Sequence, residues 1–175
     1  MFHRAIVGVL ATVLAATASV SASAADPRVE RGKYLVEIGG CTDCHTPGYF
    51  RGHPDMTKYL GGSDAGFAVP GHGVFVPPNL TPDKETGLGN WTAEQIVAAI
   101  TTGERPDGRV LVPSMPWRGY SHLTKYDALA IAAFLKTLPP ISNKVPGPFG
   151  PDDKLTGFVM SLQPAEVYSG LPQPK

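Results

Sequence analysis

The feature that most constrains this chain is the pentapeptide Cys41-Thr42-Asp43-Cys44-His45. It contains both cysteines of the chain, spaced as C-x-x-C and followed at once by a histidine. Two thiols at this spacing can form thioethers with the two vinyl groups on one edge of a porphyrin, and the adjoining imidazole can then ligate the iron. The motif therefore predicts one covalently attached haem c, held by Cys41 and Cys44 and ligated by His45.

Three other interpretations of the two cysteines are weaker. A zinc site would need two more ligands from among His53, His72 and His122, at unusual spacing. A thioredoxin-like redox motif requires a βαβ pattern, which is not visible here. A structural disulfide is ordinary in an exported protein, but it gives no role to the adjoining histidine. Haem attachment is the interpretation that uses all three residues.

The first 25 residues have the pattern of an export signal. Arg4 is basic, residues 5–20 are largely apolar, and the small residues 21–24 offer a cleavage site. An uncleaved membrane anchor would need roughly 20 apolar residues, whereas this segment is rich in Ala, Thr and Ser. We therefore predict a removed signal peptide over residues 1–25 and a mature protein in the periplasm. No later segment is apolar enough to span a bilayer.

Composition excludes some functions and favours a particular kind of fold. The 15 basic residues are balanced by 15 acidic residues, so the basic face that nucleic-acid binding requires is not expected. The chain also contains 20 glycines and 18 prolines, which are many for 175 residues. This composition favours a loop-rich fold that wraps around something other than its own side chains, as a haem protein does.

Three helices are predicted from their capping signals. The first should begin at Asp26-Pro27 and end at Gly39-Gly40, just before the cysteines. A capping box at Thr92-Ala93-Glu94-Gln95 opens the second helix. A similar signal at Thr124 opens the longest helix, which Pro139-Pro140 stops. The apolar spacing of this helix predicts a core-facing stripe: Tyr126, Leu129, Ala130, Ala133, Phe134 and Thr137.

The rest of the chain is predicted to be mostly loop. Glycine and proline interrupt residues 46–90 repeatedly, which favours a loop covering one side of the haem, with a short hairpin possible between Phe67 and Val76. Residues 139–175 contain eight prolines, so residues 141–175 are expected to form an irregular extension. Its apolar residues favour docking on the domain, with a disordered tail as the alternative.

A haem that only transfers electrons needs a sixth iron ligand. The candidates are Met56, Met115, Met160, His53, His72 and His122. We favour Met115, because the prolines of Pro113-Ser114-Met115-Pro116 restrict the backbone and can hold a thioether in place. His122 is the second choice, and it would give a lower potential than His/Met ligation.

Four residues near this methionine in the sequence are candidates for the haem propionates. Arg105 and Arg109 could pair with these anions, and Trp91 and Trp117 could donate indole N–H groups. Exposed arginines and packed indoles are the ordinary alternatives.

The order of these features resembles that of class I c-type cytochromes over residues 26–140. Four segments in particular resemble the haem modules of cytochrome c subunits of bacterial alcohol, gluconate and aldehyde dehydrogenases: Pro78-Asn79-Leu80-Thr81-Pro82-Asp83, Gly87-Leu88-Gly89-Asn90-Trp91-Thr92, Arg105-Pro106-Asp107-Gly108-Arg109 and Met115-Pro116-Trp117. The resemblance implies an all-α fold of three to four helices around one haem. It also implies a close crossing of the first and last helices, with Gly32 opposite Phe134 and Tyr34 packing nearby.

The resemblance further implies a function. Cys41 and Cys44 would attach the haem, His45 would be the proximal ligand and Met115 the distal ligand. The protein would be an electron carrier or electron-transfer subunit, taking electrons from a periplasmic dehydrogenase and passing them to a terminal oxidase or another cytochrome. Such subunits usually carry three modules and a membrane-binding end, whereas this sequence has one C-x-x-C-H. A peroxidase-like haem enzyme or a small-ligand sensor with an open sixth site is the alternative.

Overall fold

The polypeptide between residues 26 and 171, which the computed structural model describes, forms helices joined by long loops and one small sheet. The predicted signal peptide at residues 1–25 lies outside the described residues. The helices are α1 (Pro27–Ile38), α2 (Cys41–His45), α3 (Ala93–Thr102), α4 (Trp117–Tyr120), α5 (Lys125–Thr137) and α6 (Ala165–Ser169), and the strands are β1 (Ala65–Val69), β2 (Gly73–Phe75) and β3 (Phe158–Met160). Two short 3₁₀ turns, Tyr49–Arg51 and Met56–Lys58, follow the cysteine motif.

The three predicted helices are confirmed, and their capping residues act as expected. The Asp26 carboxylate accepts a hydrogen bond from the Arg28 amide at 2.8 Å, with Pro27 in the first turn of α1. Thr92 and Gln95 form both hydrogen bonds of a capping box at the start of α3. The Thr124 hydroxyl accepts from the amide of Asp127 at the start of α5. Local sequence therefore sets where these helices begin.

The crossing of α1 and α5 is confirmed, and it depends on a glycine. A Cβ atom placed on Gly32 would lie 1.9 Å from the Ala130 carbonyl oxygen and 2.8 Å from Cβ of Phe134. The two backbones can approach this closely only because residue 32 has no side chain. Tyr34, which was expected to pack near this contact, is 51% exposed, and the Arg31 guanidinium lies over its ring.

The core lies between α1, α3 and α5, and it differs in part from the predicted stripe. Ala130 and Phe134 are buried as expected, but Tyr126 is 53% exposed. Ile131 and Leu135, which the stripe omitted, are buried. The reason is that α5 packs against both α1 and α3, so its buried face is wider than a single stripe. The buried core cluster is Leu35, Val36, Leu60, Leu88, Ile96, Ile131, Ala132, Phe134 and Leu135.

The all-α prediction omitted a three-stranded sheet with strand order β2-β1-β3. The hairpin between Phe67 and Val76 is confirmed, since β1 and β2 pair antiparallel with Phe67 opposite Phe75. Strand β3 was not predicted. It comes from the proline-rich extension and pairs in parallel with β1, with Phe67 opposite Met160. The extension is therefore docked on the domain through this strand, and not a free tail there.

None of the helices within residues 26–171 is long and apolar enough to cross a membrane.

The close approach at Gly32 gives a direct test of the helix crossing. Replacing Gly32 with Ala should lower the free energy of unfolding by at least about 2 kcal/mol, because the added methyl overlaps the backbone of α5. Urea unfolding followed by circular dichroism measures this. Gly119→Ala is the matched control, since a Cβ there meets nothing within 4 Å. Equal stability of the two variants would contradict the crossing.

Candidate haem site

A cavity of about 560 Å³ opens between α2, α3, α5 and the loops that precede and follow them. This volume lies in the range of about 300–1,000 Å³ typical of cofactor sites. Most of its wall is apolar, and it includes Leu80, Ile96, Ile100, Ile131 and Leu135. Part of the helical core is thus turned toward an internal space instead of toward other side chains.

Helix α2 brings the cysteine motif to this cavity. Gly40, in the left-handed conformation with φ of 68°, turns the chain between α1 and α2. Cys41 and Cys44 are free thiols three residues apart on this single-turn helix, and both line the cavity. Burial raises the pKa of Cys41 to about 11 and also raises the pKa of Cys44. Both sulfurs therefore lie in an apolar environment, which favours a neutral thiol over a thiolate.

His45 is fixed by one short hydrogen bond. Its Nδ1 lies 2.7 Å from the carbonyl oxygen of Pro78, and only 5% of the residue is exposed. Because a carbonyl can only accept, Nδ1 must carry the proton, and the lone pair is left on Nε2. Burial lowers the pKa of His45 to about 4, so the ring stays neutral. A neutral imidazole with a fixed tautomer is the form that ligates a metal.

Met115 lies in a turn on the cavity wall. Its amide donates to the Val112 carbonyl at 3.0 Å, and its own carbonyl accepts from the Trp117 amide at 2.8 Å. Among the methionines and histidines of residues 26–171, His45 and Met115 are the two that line the cavity. Met56 is 58% exposed, and Met160 lies in β3 on the surface. The structure therefore places one of the six candidate sixth ligands in the site.

The predicted zinc alternative finds no support in the described residues. Within residues 26–171, His, Cys, Asp and Glu side chains form no group of three or more that could hold a metal ion. His53, His72 and His122 do not line the cavity that contains the two thiols.

Two arginines and one indole form a polar patch on the cavity wall. Arg105, Arg109 and Trp91 all line the cavity, and the Arg105 guanidinium lies 5.1 Å from the centre of the Trp91 ring. Arg105 also contacts the Asp107 carboxylate at 3.3 Å. Burial and the neighbouring Arg105 cation lower the pKa of Arg109. Two cations held close together against one carboxylate form a site that favours an anionic ligand.

Trp117 was predicted to contact the cofactor, but the structure does not place it in the cavity wall. Its indole N–H donates to the Leu111 carbonyl at 3.2 Å, and its ring lies against Gly103. Trp117 therefore braces the start of the loop that carries Met115, and its N–H is already used.

Several lining residues were missed in the sequence. Tyr120 donates its hydroxyl to the Gly39 carbonyl at 2.6 Å and so joins the methionine loop to the end of α1. Phe67 and Phe75 face each other across the hairpin and line the cavity, a pairing that the predicted hairpin could have indicated. Residues 145–148 of the extension also line it, and no local pattern indicated this.

The donor set as a whole fits a covalently bound haem. Two thiols, a neutral imidazole and a thioether meet in one apolar cavity, and two guanidinium groups lie at its wall. The thiols can form thioethers with the haem vinyl groups, and the imidazole nitrogen and the thioether sulfur can ligate the iron. The guanidinium groups can pair with the propionate carboxylates.

Comparisons with known proteins support this assignment. No protein-family model matches the chain. The chain is 34% identical over 110 residues to a diheme cytochrome c-type protein of Cereibacter sphaeroides. The match covers 63% of this chain and 36% of that protein. Together with the described site, this similarity supports a c-type cytochrome module.

More specifically, the chain is similar to cytochrome subunits of dehydrogenases. It is 34% identical over 127 residues to the fructose dehydrogenase cytochrome subunit of Gluconobacter japonicus, covering 69% of this chain and 23% of that subunit. It is 29% identical over 131 residues to the gluconate 2-dehydrogenase cytochrome c subunit of Pantoea cypripedii, and the match covers 75% of this chain and 28% of that subunit. The chain thus spans about a third or less of the length of these relatives.

The Tyr120 hydroxyl provides a test of how the site is assembled. Tyr120→Phe should lower the free energy of unfolding by about 1 kcal/mol, because the Gly39 carbonyl loses its partner beside the cysteine motif. Chemical unfolding monitored by fluorescence measures the difference. Tyr126→Phe is the control, since that side chain is half exposed, and a loss of stability as large in the control would contradict the assignment.

Proposed function

We propose that the protein is a monohaem electron-transfer cytochrome. Cys41 and Cys44 attach the haem, His45 is the proximal ligand and Met115 the distal ligand. The observation that carries the proposal is that one cavity gathers both thiols, the buried imidazole and the thioether, while the other candidate ligands of residues 26–171 lie elsewhere. One C-x-x-C-H motif in the sequence supports one haem for this chain, although its relatives include a diheme protein.

When bound, haem c supplies a one-electron couple, and histidine–methionine ligation favours a high potential. The residues of the chain keep its surroundings constant. The Pro78 carbonyl holds the His45 ring and its tautomer, and the hydrogen-bonded turn at Met115 holds the thioether. The apolar wall excludes water. Fixed ligands and a dry pocket keep the structural change between oxidation states small, which suits electron transfer rather than substrate chemistry.

Arg105 and Arg109 are proposed to bind the propionates. Both line the cavity, and their mutual repulsion is relieved only in part by Asp107. These groups leave one positive charge uncompensated, and a propionate carboxylate could neutralise it. Trp91 contributes the ring on which Arg105 rests.

The proposed donor follows from the names of the relatives, which are dehydrogenase subunits, and the acceptor is proposed from the one-electron chemistry of haem c. A periplasmic dehydrogenase is the electron donor, and a terminal oxidase or another cytochrome is the acceptor. The predicted signal peptide supports a periplasmic location. We propose that it works as an electron carrier or as an electron-transfer subunit beside the dehydrogenase, as the names of these relatives suggest.

Iron ligation is tested by optical spectroscopy of the exported protein. The oxidised wild type should show the weak long-wavelength band of a thioether-ligated haem, and Met115→Ala should abolish it because the sulfur is removed. Met160→Ala, on the surface, should keep the band. A high-spin spectrum with ready carbon monoxide binding in the wild type would instead indicate an open sixth site and a haem enzyme or sensor.

The role of the arginines is tested by redox titration. Arg109→Gln should lower the equilibrium constant for reduction about fivefold, since a partly buried cation near the haem contributes about 1 kcal/mol. The shift should shrink as ionic strength rises. Arg118→Gln is the control, because Arg118 stacks on Trp117 and does not line the cavity. Equal shifts in the two variants would contradict a local propionate contact.

A further inference from the structure

We propose that residues 141–149, the start of the proline-rich extension, form a wall of the haem pocket that keeps water out, and that Asn79 and Thr81 hold this wall segment in place. The inference rests on the proposed haem function and assigns a role to part of the extension. It concerns solvent access to the pocket, which is one of the means by which a protein sets the potential of its cofactor.

The cavity-lining part of the wall segment also lies at the protein surface. Residues 145–148 (Val-Pro-Gly-Pro) line the cavity, and Pro146, Gly147 and Pro148 are exposed. Two of the four residues are prolines, which have no N–H group, so the segment brings few unpaired donors to an apolar surface.

The first anchor of the wall segment is a buried pair of polar side chains. Asn79 is 1% exposed and Thr81 is fully buried. The Asn79 amide group donates to the Ile141 carbonyl at 2.6 Å, and the Ile141 amide donates to the Thr81 hydroxyl at 3.0 Å. The Thr81 hydroxyl in turn donates to Asn79 Oδ1 at 2.7 Å. Both backbone groups of Ile141 are thus bonded to side chains of a distant loop.

Further contacts hold the rest of the wall segment. The Asn143 side chain donates to the Gly61 carbonyl at 2.7 Å, and its backbone amide donates to the Thr86 hydroxyl at 3.0 Å. At the far end, Phe149 and Val74 exchange two backbone hydrogen bonds of 2.9 Å. Hydrogen bonds to the rest of the domain thus hold the wall segment at both ends, on either side of the cavity-lining residues 145–148.

The side chain of Val145 packs closely against Gly62. Gly62 has a φ of 102°, and a Cβ atom built there would lie 2.5 Å from Cγ1 of Val145. A side chain at position 62 would therefore displace Val145 from this packed position. The wall therefore matches the loop beneath it in shape as well as in hydrogen bonding.

Loosening this wall should admit water to the pocket. Water stabilises the more highly charged, oxidised haem, so the potential should fall. The later residues 150–171 do not line the cavity, so they should not matter for the potential. The wall segment is therefore expected to affect the potential, whereas the rest of the extension, which contains strand β3, is not.

The experiment compares two substitutions of Thr81 in the haem-loaded protein. Thr81→Val keeps the volume but removes the hydroxyl that binds Ile141, and Thr81→Ser keeps the hydroxyl. We expect Thr81→Val to lower the equilibrium constant for reduction about tenfold, or about 59 mV for one electron. Thr81→Ser should retain the wild-type potential. Hydrogen–deuterium exchange should show faster exchange at Ile141 and Asn143 in the valine variant.

Several outcomes would overturn the inference. An unchanged potential despite faster exchange would show that the wall does not exclude water. A raised potential would point instead to a weakened His45–Pro78 hydrogen bond, and equal shifts in the valine and serine variants would point to packing. If Thr81→Val does not fold, Asn143→Ala, which removes only the side-chain bond to Gly61, gives the same test. The thioether band of the wild type reports separately on the proposed function.

Discussion

The hydrogen bond from His45 Nδ1 to the Pro78 carbonyl is the contact on which the site depends. It fixes which ring nitrogen carries the proton, and burial then keeps the imidazole neutral. The bond joins two segments of very different character. His45 ends the short helix that carries the thiols, whereas Pro78 lies in a loop with no regular structure. The loop is positioned in turn by Leu60, whose carbonyl accepts from the Leu80 amide at 2.8 Å.

Loop segments therefore position many of the residues that line the cavity. The helices α1, α3 and α5 form the core, but several parts of the cavity wall, among them residues 76–78, 111–116 and 145–148, are loops. Buried Thr46, Asn79 and Thr81 accept or donate hydrogen bonds for backbone groups that have no strand or helix partner. No buried side-chain nitrogen or oxygen among the described residues lacks a hydrogen-bond partner. This explains how a chain so rich in glycine and proline can enclose a cavity.

The features that could be predicted from the sequence are those with local signals. Caps at Asp26, Thr92 and Thr124 gave the helix starts, and the C-x-x-C-H motif and the prolines around Met115 indicated the residues that meet in the cavity. Strand β3 and the cavity-lining residues 145–148 could not be predicted in this way. Both depend on contacts with residues some 70 to 90 positions earlier, and such pairings leave no periodic pattern in either segment. Closeness in sequence to Met115 also does not determine which way an indole points, and the Trp117 N–H bonds the Leu111 carbonyl.

The crossing of α1 and α5 at Gly32 also has a consequence for the entropy of the chain. This contact closes a loop that contains the cysteine motif, Pro78, the arginines and Met115, and closing so long a loop costs conformational entropy that grows only slowly with its length. A group joined to the chain near residue 41 and also held near residue 115 would act as a cross-link and divide that loop into shorter ones. The polypeptide and its cofactor would then stabilise each other without any added contact between α1 and α5.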